Sequence, residues 1–254
     1  MNITNPAFDY EKPGIDYASY RQTDPRIAAH VHAALGNTNT ILNIGAGAGS
    51  YEPAGKYVVA VEPSAAMRAQ RMAKGIAPAI IGKADSLPFD DNSFDACMAM
   101  VTIHHWPDIR AGLQEMRRVA KDRVVVMTFD PAALDSFWNV HYFPNVIAAE
   151  KKRYPSIEYI TESLGGNCEV LEVPIPLDCV DGFQEAFYGR PEAFLSGAVR
   201  RAQSAWGFVD DATAQAYVQH LSDELQSGEW DRKYGQYRSM PEAVFSLRLV
   251  VGYQ

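Results

Sequence analysis

The segment Ile41-Leu42-Asn43-Ile44-Gly45-Ala46-Gly47-Ala48-Gly49-Ser50-Tyr51 constrains this 254-residue chain more than any other. An apolar strand runs straight into glycines at alternate positions, so the backbone can turn sharply and approach a ligand without Cβ obstruction. Ligands of open α/β sheets sit beyond such carboxyl-terminal strand ends. The pattern is G-x-G-x-G, whereas the dinucleotide fingerprint G-x-G-x-x-G would need its third glycine at Ser50. Between Gly49 and the next predicted strand, at Tyr57, lie only seven residues, Pro53 and Gly55 among them. No long helix fits there to offer its N-terminus to a pyrophosphate. That disfavours NAD, FAD and nucleoside triphosphates.

Around this turn, short apolar runs alternate with helical stretches. Strands are predicted at 40–44, 57–62, 79–83, 94–101 and 123–129, several apolar on both faces as in a covered parallel sheet. Ile27, Val31, Ala34 and Leu35 form a helical stripe that stops at Gly36, and Asp108 caps a second stripe of Ile109, Leu113 and Met116. Asp130-Pro131 reads as a third helix start. The alternation predicts an α/β, Rossmann-like sandwich. Further strands are expected at 169–175 and 245–252, with helical patterns near 191–206 and 211–226 between them. The expected division is a core of residues 1–180 plus 241–254 and a helical lid of residues 181–240.

Composition narrows the partners. With 47% hydrophobic residues the chain has ample core, and no run is long enough for a membrane-spanning helix. No leader pattern is visible at the N-terminus. A net charge of −8 works against a nucleic-acid surface. Three cysteines without a C-x-x-C pair suit a reducing cytoplasm, and the six histidines show no metal-binding spacing, so no metal is expected. A monomer or homodimer acting on a small molecule is the expectation.

Glu62 closes the second predicted strand, where a carboxylate can accept from both hydroxyls of a ribose. Asp85 follows the third strand, placed to accept from an exocyclic amine. The fourth opens into Ile103-His104-His105-Trp106. These elements, with Leu42 to Gly49, Val61-Glu62-Pro63-Ser64-Ala65-Ala66-Met67, Asp85-Ser86-Leu87-Pro88-Phe89 and Ser93-Phe94-Asp95, resemble the class I S-adenosylmethionine-dependent methyltransferases, in particular those of ubiquinone and menaquinone biosynthesis.

The resemblance covers roughly residues 15 to 130 and implies a mostly parallel seven-stranded sheet with S-adenosylmethionine as cofactor. It would run Gly45, Ala46, Gly47 and Gly49 beneath the methionine moiety and give the ribose to Glu62, beside Pro63. Met67 would cover the adenine and Asp85 and Ser86 would hold its edge. Met100 and Val101 would lie beside the sulfonium. Tyr17, Tyr20 and Arg21 match a tyrosine–arginine element, and Arg21 is suited to pair with the cofactor carboxylate. Asn43 stands where the first strand usually carries an acid.

Methyl transfer is an in-line displacement in which positioning carries much of the rate. His104 or His105 is the candidate base or acceptor-orienting group. His141, Tyr188 and Trp206 are candidate acceptor contacts, although most aromatics of the helical segment serve its core. Two alternatives stand beside methyl transfer: a cofactor-binding protein with other chemistry or a regulatory role on the same scaffold, and a nicotinamide oxidoreductase.

Overall fold

The computed structural model describes residues 20–254; Tyr17 lies outside them. Asp24, accepting from the Arg26 amide, and Pro25 open helix α1 (Pro25–Leu35), which ends at Gly36 with φ of 63°. Next come β1 (Thr40–Ile44), β2 (Tyr57–Val61), α2 (Ala65–Ala73) and β3 (Phe94–Met100). Helix α3 (Ile109–Val119), capped by Asp108 as expected, leads into β4 (Ala120–Phe129). The second half holds α4 (Asn139–Tyr142), α5 (Pro144–Arg153), α6 (Ile157–Leu164), β5 (Asn167–Glu172) and β6 (Ile175–Pro176). Then follow α7 (Gly197–Arg201), α8 (Asp211–Ser227), α9 (Glu229–Tyr234), β7 (Glu242–Ala243) and β8 (Leu247–Tyr253).

The main sheet has the order β2-β1-β3-β4-β8-β5. β1 to β4 are mutually parallel, and only β8 runs against its neighbours. Six strands rather than seven are present. The strand expected at 79–83 is reduced to a bridge, Ile80 to Val61. Pro78 has no amide to donate just before it, and Ile81 is 72% exposed, so nothing on that side rewards further pairing. Ile175, expected to end the strand after 169, instead pairs with Ala243 in a separate two-stranded ribbon.

Alternation sorts the core into two layers. Ile41, Met98, Val125 and Leu249 face one cluster with α1; Leu42, Cys97, Val126 and Val250 face the other with α3 and α6. The first cluster continues without a break into Trp138, Phe143, Phe194 and Trp230, so the helical second half, α6 apart, packs on the same sheet face as α1.

Two local expectations fail. Asp130-Pro131 opens a turn and not a helix: Asp130 accepts from the Ala132 amide, and a 3-10 turn at Leu134–Ser136 follows. The pattern near 191–206 is broken into 3-10 turns around the five-residue α7, with Gly197 at the break. Helix α8 forms as read, with Leu221 buried and Tyr217 and Leu225 packed beside it. No helix among the described residues is long and apolar enough to cross a membrane.

Candidate active site

β2 and β3 flank β1 on opposite sides, so the crossover direction reverses at the carboxyl end of β1 and leaves a crevice there. The chain leaves Ile44 through Gly45, whose φ is 65°. The amides of Gly45 and Ala46 both donate to the Val61 carbonyl, at 2.9 and 3.1 Å. A Cβ on Gly45 would stand 2.3 Å from Thr102 Oγ1. At the end of β2 the Glu62 carboxylate accepts from the amides of Gly47 (2.7 Å) and Ser64 (2.8 Å). Burial raises its pKa above the ordinary carboxylate value, against the pull of those two amides. Ser64 caps α2 by accepting from the Met67 amide, and Met67 lies against the loop, its Cε 3.2 Å from a Cβ built on Gly47.

The resulting cleft has a volume of about 340 Å³ and is floored by the loop, with Glu62, Met67 and Met100 around it. Arg21 reaches it from the other side. Its Nε donates to Asp181, which also accepts from the Tyr51 hydroxyl at 2.6 Å. This links the glycine loop, the N-terminal segment and the helical half. Burial, with the Asp181 charge beside it, holds the Tyr51 hydroxyl well above its usual pKa.

A second chamber of about 40 Å³ adjoins the first, and Arg21, Val101 and His105 line both. Val101, at this junction, has φ of 50°, an unusual conformation for a β-branched residue, held by its amide's 2.8 Å bond to Met127 O. The 3-10 turn Ile103–His105 presents both histidines. The His104 ring packs between those of His105 and Tyr154, tilted by 45° and 48° at centroid distances of 3.9 and 4.3 Å. Burial, aided by the nearby Arg153 and Arg21 charges, lowers the pKa of both imidazoles, His105 to about 3. Both are therefore neutral through the physiological range.

A methyltransferase domain model matches residues 42–128, from β1 through Thr128 in β4. Over nearly the whole chain, a solved structure from Anabaena variabilis is superimposable with a TM-score of 0.85 at 29% identity, covering 92% of this chain and 99% of that one. It is described as a candidate methyltransferase from an antibiotic biosynthesis pathway. These similarities support a class I S-adenosylmethionine-dependent methyltransferase. Among curated relatives, a demethylmenaquinone methyltransferase of Corynebacterium efficiens is 30% identical over 118 residues, 43% of this chain and 51% of the relative. A ubiquinone/menaquinone biosynthesis C-methyltransferase of Citrifermentans bemidjiense is 30% identical over 101 residues, 37% of this chain and 40% of the relative. The chain thus spans about half or less of the length of these relatives.

S-adenosylmethionine, the cofactor these similarities imply, fits the cleft on the chain's own atoms. Asn43 Oδ1 is buried at the cleft with no partner among the described residues, and Gly45 and Gly47 present no Cβ to it. Arg21, Asn43, Gly45, Ala46, Gly47, Glu62, Pro63, Met67, Met100 and Val101, ten of the residues expected to meet the cofactor, all line it. Four others do not. Asp85 and Ser86 follow the lining residues Lys83 and Ala84, and the turn that bridges Lys83 to Ser86 carries Ser86 out to the surface. Gly49 faces away from the cleft, toward Arg71 and Ile76. Tyr20 is exposed, its carbonyl accepting from the Gly182 amide.

The three expected acceptor contacts line neither chamber. His141 lies two residues, about 200° around a helix, from the chamber-lining Asn139, and its Nδ1 meets the Tyr234 hydroxyl at the surface. The Tyr188 ring is core, its hydroxyl donating to Met240 O. Trp206 packs on Phe143 and Phe194. Instead the chamber is lined by Asn139, Glu150, Tyr154, Gln184, Glu185 and Gln203, among others. None carried a sequence signal, because they come from separate segments at no motif's spacing. Thr102 and Trp106, which line the cleft, flank the His104-His105 pair and were within reach of that motif.

Proposed function

We propose that this chain transfers a methyl group from S-adenosylmethionine to a small-molecule acceptor held in the second chamber. The observation that carries the reading is the junction: the cleft and the chamber meet at Val101 and His105, within reach of the glycine loop and Glu62. When bound, the cofactor supplies an electrophilic methyl carbon on a positively charged sulfur. Glu62 would accept from the ribose hydroxyls, and Asn43 Oδ1 from the cofactor's ammonium group. Arg21, anchored by Asp181, would pair with the carboxylate. Met67 would cover the adenine, and Met100 and Val101 would stand beside the sulfonium. The buried chamber excludes water from the reacting atoms, and His104 and His105, as neutral imidazoles, orient the acceptor's nucleophile by hydrogen bonding. A pKa near 3 makes His105 a poor proton store, so alignment is its main service.

The helical segment 181–240 supplies Gln184, Glu185 and Gln203 to the chamber and serves as its lid over a core of residues 1–180 and 241–254. Action as a cytoplasmic monomer or homodimer on a small molecule, without nucleic-acid or membrane partners, accords with the acidic charge balance.

Calorimetric titration with S-adenosylhomocysteine, with NADH and NADPH as controls, tests the cofactor. Micromolar binding of the homocysteine derivative alone is expected. Glu62→Ala should weaken it by at least about 100-fold, since hydrogen bonds to a charged carboxylate are worth about 1.5–3 kcal/mol each. Binding of NADH in its place would turn the reading toward hydride transfer.

The neutral histidines make a second prediction. With His105 lowered to about 3 and His104 lowered too, neither gains a proton as the pH falls from 8 to 5. For an acceptor that does not itself titrate there, and in a Glu185→Gln variant that removes the chamber carboxyl lifted to about 7, kcat/KM should show no acid limb in that window. A limb centred near pH 6.5 would mean an imidazole of ordinary basicity at the reacting atoms.

A further inference from the structure

The chamber beyond Val101 is small and unusually rich in polar atoms that the protein leaves unpaired. Gln203 is 4% exposed, yet neither its Oε1 nor its Nε2 has a hydrogen-bond partner among the described residues. Asn139, 1% exposed, gives its Nδ2 to Gln184 Oε1 at 3.1 Å and leaves its own Oδ1 unpaired. His104 Nδ1 is a fourth such atom. All three residues line the same chamber. They come from separate parts of the chain: the turn after β3, helix α4 and the residue before the 3-10 turn Ser204–Phe208.

A buried polar group without a partner costs about 1–3 kcal/mol. Three of them around one void are a standing loss to the fold, and an isosteric apolar side chain would remove each. A ligand that satisfies them turns that loss into recognition.

The chamber's size restricts that ligand. At about 40 Å³ it has room for roughly three water-sized groups, enough for the reacting end of a small organic molecule and too little for a large apolar ring system. Its charge is balanced. Arg21 is paired with Asp181, and Arg153 stands 3.8 Å from Glu150. Burial lifts the pKa values of Glu150 and Glu185, the latter to about 7. Glu185 is engaged by the Ser246 amide and hydroxyl.

We propose that this chamber selects a small uncharged acceptor that both donates and accepts hydrogen bonds, its nucleophilic atom carrying an O–H or N–H, and that Gln203 and Asn139 determine this specificity. The inference rests on the methyl-transfer reading of the adjoining cleft. In the reaction the acceptor's lone pair forms the new bond to the methyl carbon as the carbon–sulfur pair returns to sulfur. The proton of the methylated O–H or N–H then leaves to solvent. Gln203 is a positioning residue: it binds acceptor but does not line the cofactor cleft.

Acetamide and acetone make a matched pair of probes, alike in shape and with four heavy atoms each, of which only acetamide carries N–H donors. Both are titrated calorimetrically into full-length protein saturated with S-adenosylhomocysteine. Acetamide should bind at least about tenfold more tightly than acetone, because a site built for a donor penalises the analogue that lacks one. In Gln203→Leu and Gln203→Met that preference should shrink to less than about threefold while the affinity for S-adenosylhomocysteine stays within about twofold. The melting midpoint of these variants should stay level or rise, since an unpaired buried amide has been removed. Equal binding of the two probes, or no binding of acetamide, overturns the proposal. So does a Gln203 variant that melts several degrees lower and keeps the full acetamide preference, because the amide would then be serving the fold. Failure of S-adenosylhomocysteine itself to bind sinks the methyl-transfer reading instead.

Discussion

Gly45→Val is expected to abolish S-adenosylhomocysteine binding, with affinity falling by at least about 100-fold, and to lower the melting midpoint by several degrees. Two independent penalties meet at this position. The backbone φ of 65° lies in the left-handed region, which costs a non-glycine residue about 1–3 kcal/mol and a β-branched one most. Beyond that, the new Cβ would sit 2.3 Å from Thr102 Oγ1 and 2.9 Å from its Cγ2, so Thr102 or the loop has to move. The loop is the costlier to move, because the amides of Gly45 and Ala46 share the Val61 carbonyl and the Gly47 amide is held by Glu62. Displacing it breaks the surface on which the cofactor is to lie. The two penalties separate in a second variant. Gly45→Ala combined with Thr102→Gly relieves the collision and keeps the φ strain, so it should recover part of the affinity and less than all of it. Calorimetry for binding and thermal melting for stability measure both. Unchanged binding in Gly45→Val would mean that the loop does not contact the cofactor.

The elements legible from sequence are those in which a local pattern coincides with the packing that decides the structure. The strands around Ile41, Met98 and Val125 are buried on both faces, so their apolar runs report directly on the sheet. The Gly45–Gly47 turn and Glu62 are legible for a related reason, since a backbone that must approach a ligand excludes side chains. Where a local signal competes with context it misleads. Ile80 and Ile81 look like strand residues, yet the edge of the sheet offers them one bridge and solvent. Tyr188 and Trp206 have the aromatic-with-handle character of a substrate wall, but their rings fill the core beside Phe245 and Phe143. The residues that do line the chamber are polar singles such as Gln203 and Asn139. Their neighbourhood is made by folding together segments more than 60 residues apart, and no spacing rule announces it.

Arg71→Met should be the most destabilising change away from the core, by about 3–5 kcal/mol, which is the usual consequence of removing one partner of a buried ion pair. For a chain of this size that is roughly 10 °C in melting midpoint. Arg71 is 1% exposed and meets Glu52 through both terminal nitrogens, at 2.7 and 2.9 Å, while its Nε donates to Ala77 O. Glu52 in turn accepts from Asn43 Nδ2 at 2.8 Å. Asn43 therefore does not leave the end of β1 without an acid. The short segment after Gly49 folds back and delivers the Glu52 carboxylate to it, with Arg71 balancing the charge. The same arrangement explains Gly49, where a Cβ would stand 2.8 Å from Ile76 Cδ1 and 3.0 Å from Arg71 Nη1. The glycine makes room for the ion pair under the loop rather than for the cofactor above it. If this is the network's role, the double variant Arg71→Met with Glu52→Leu should regain most of the lost stability, because no charge is left buried alone. The double variant should still bind S-adenosylhomocysteine more weakly than the parent, since Asn43 then loses its anchor and the loop its support. Additive losses in the double variant would show that Arg71 and Glu52 stabilise the chain independently.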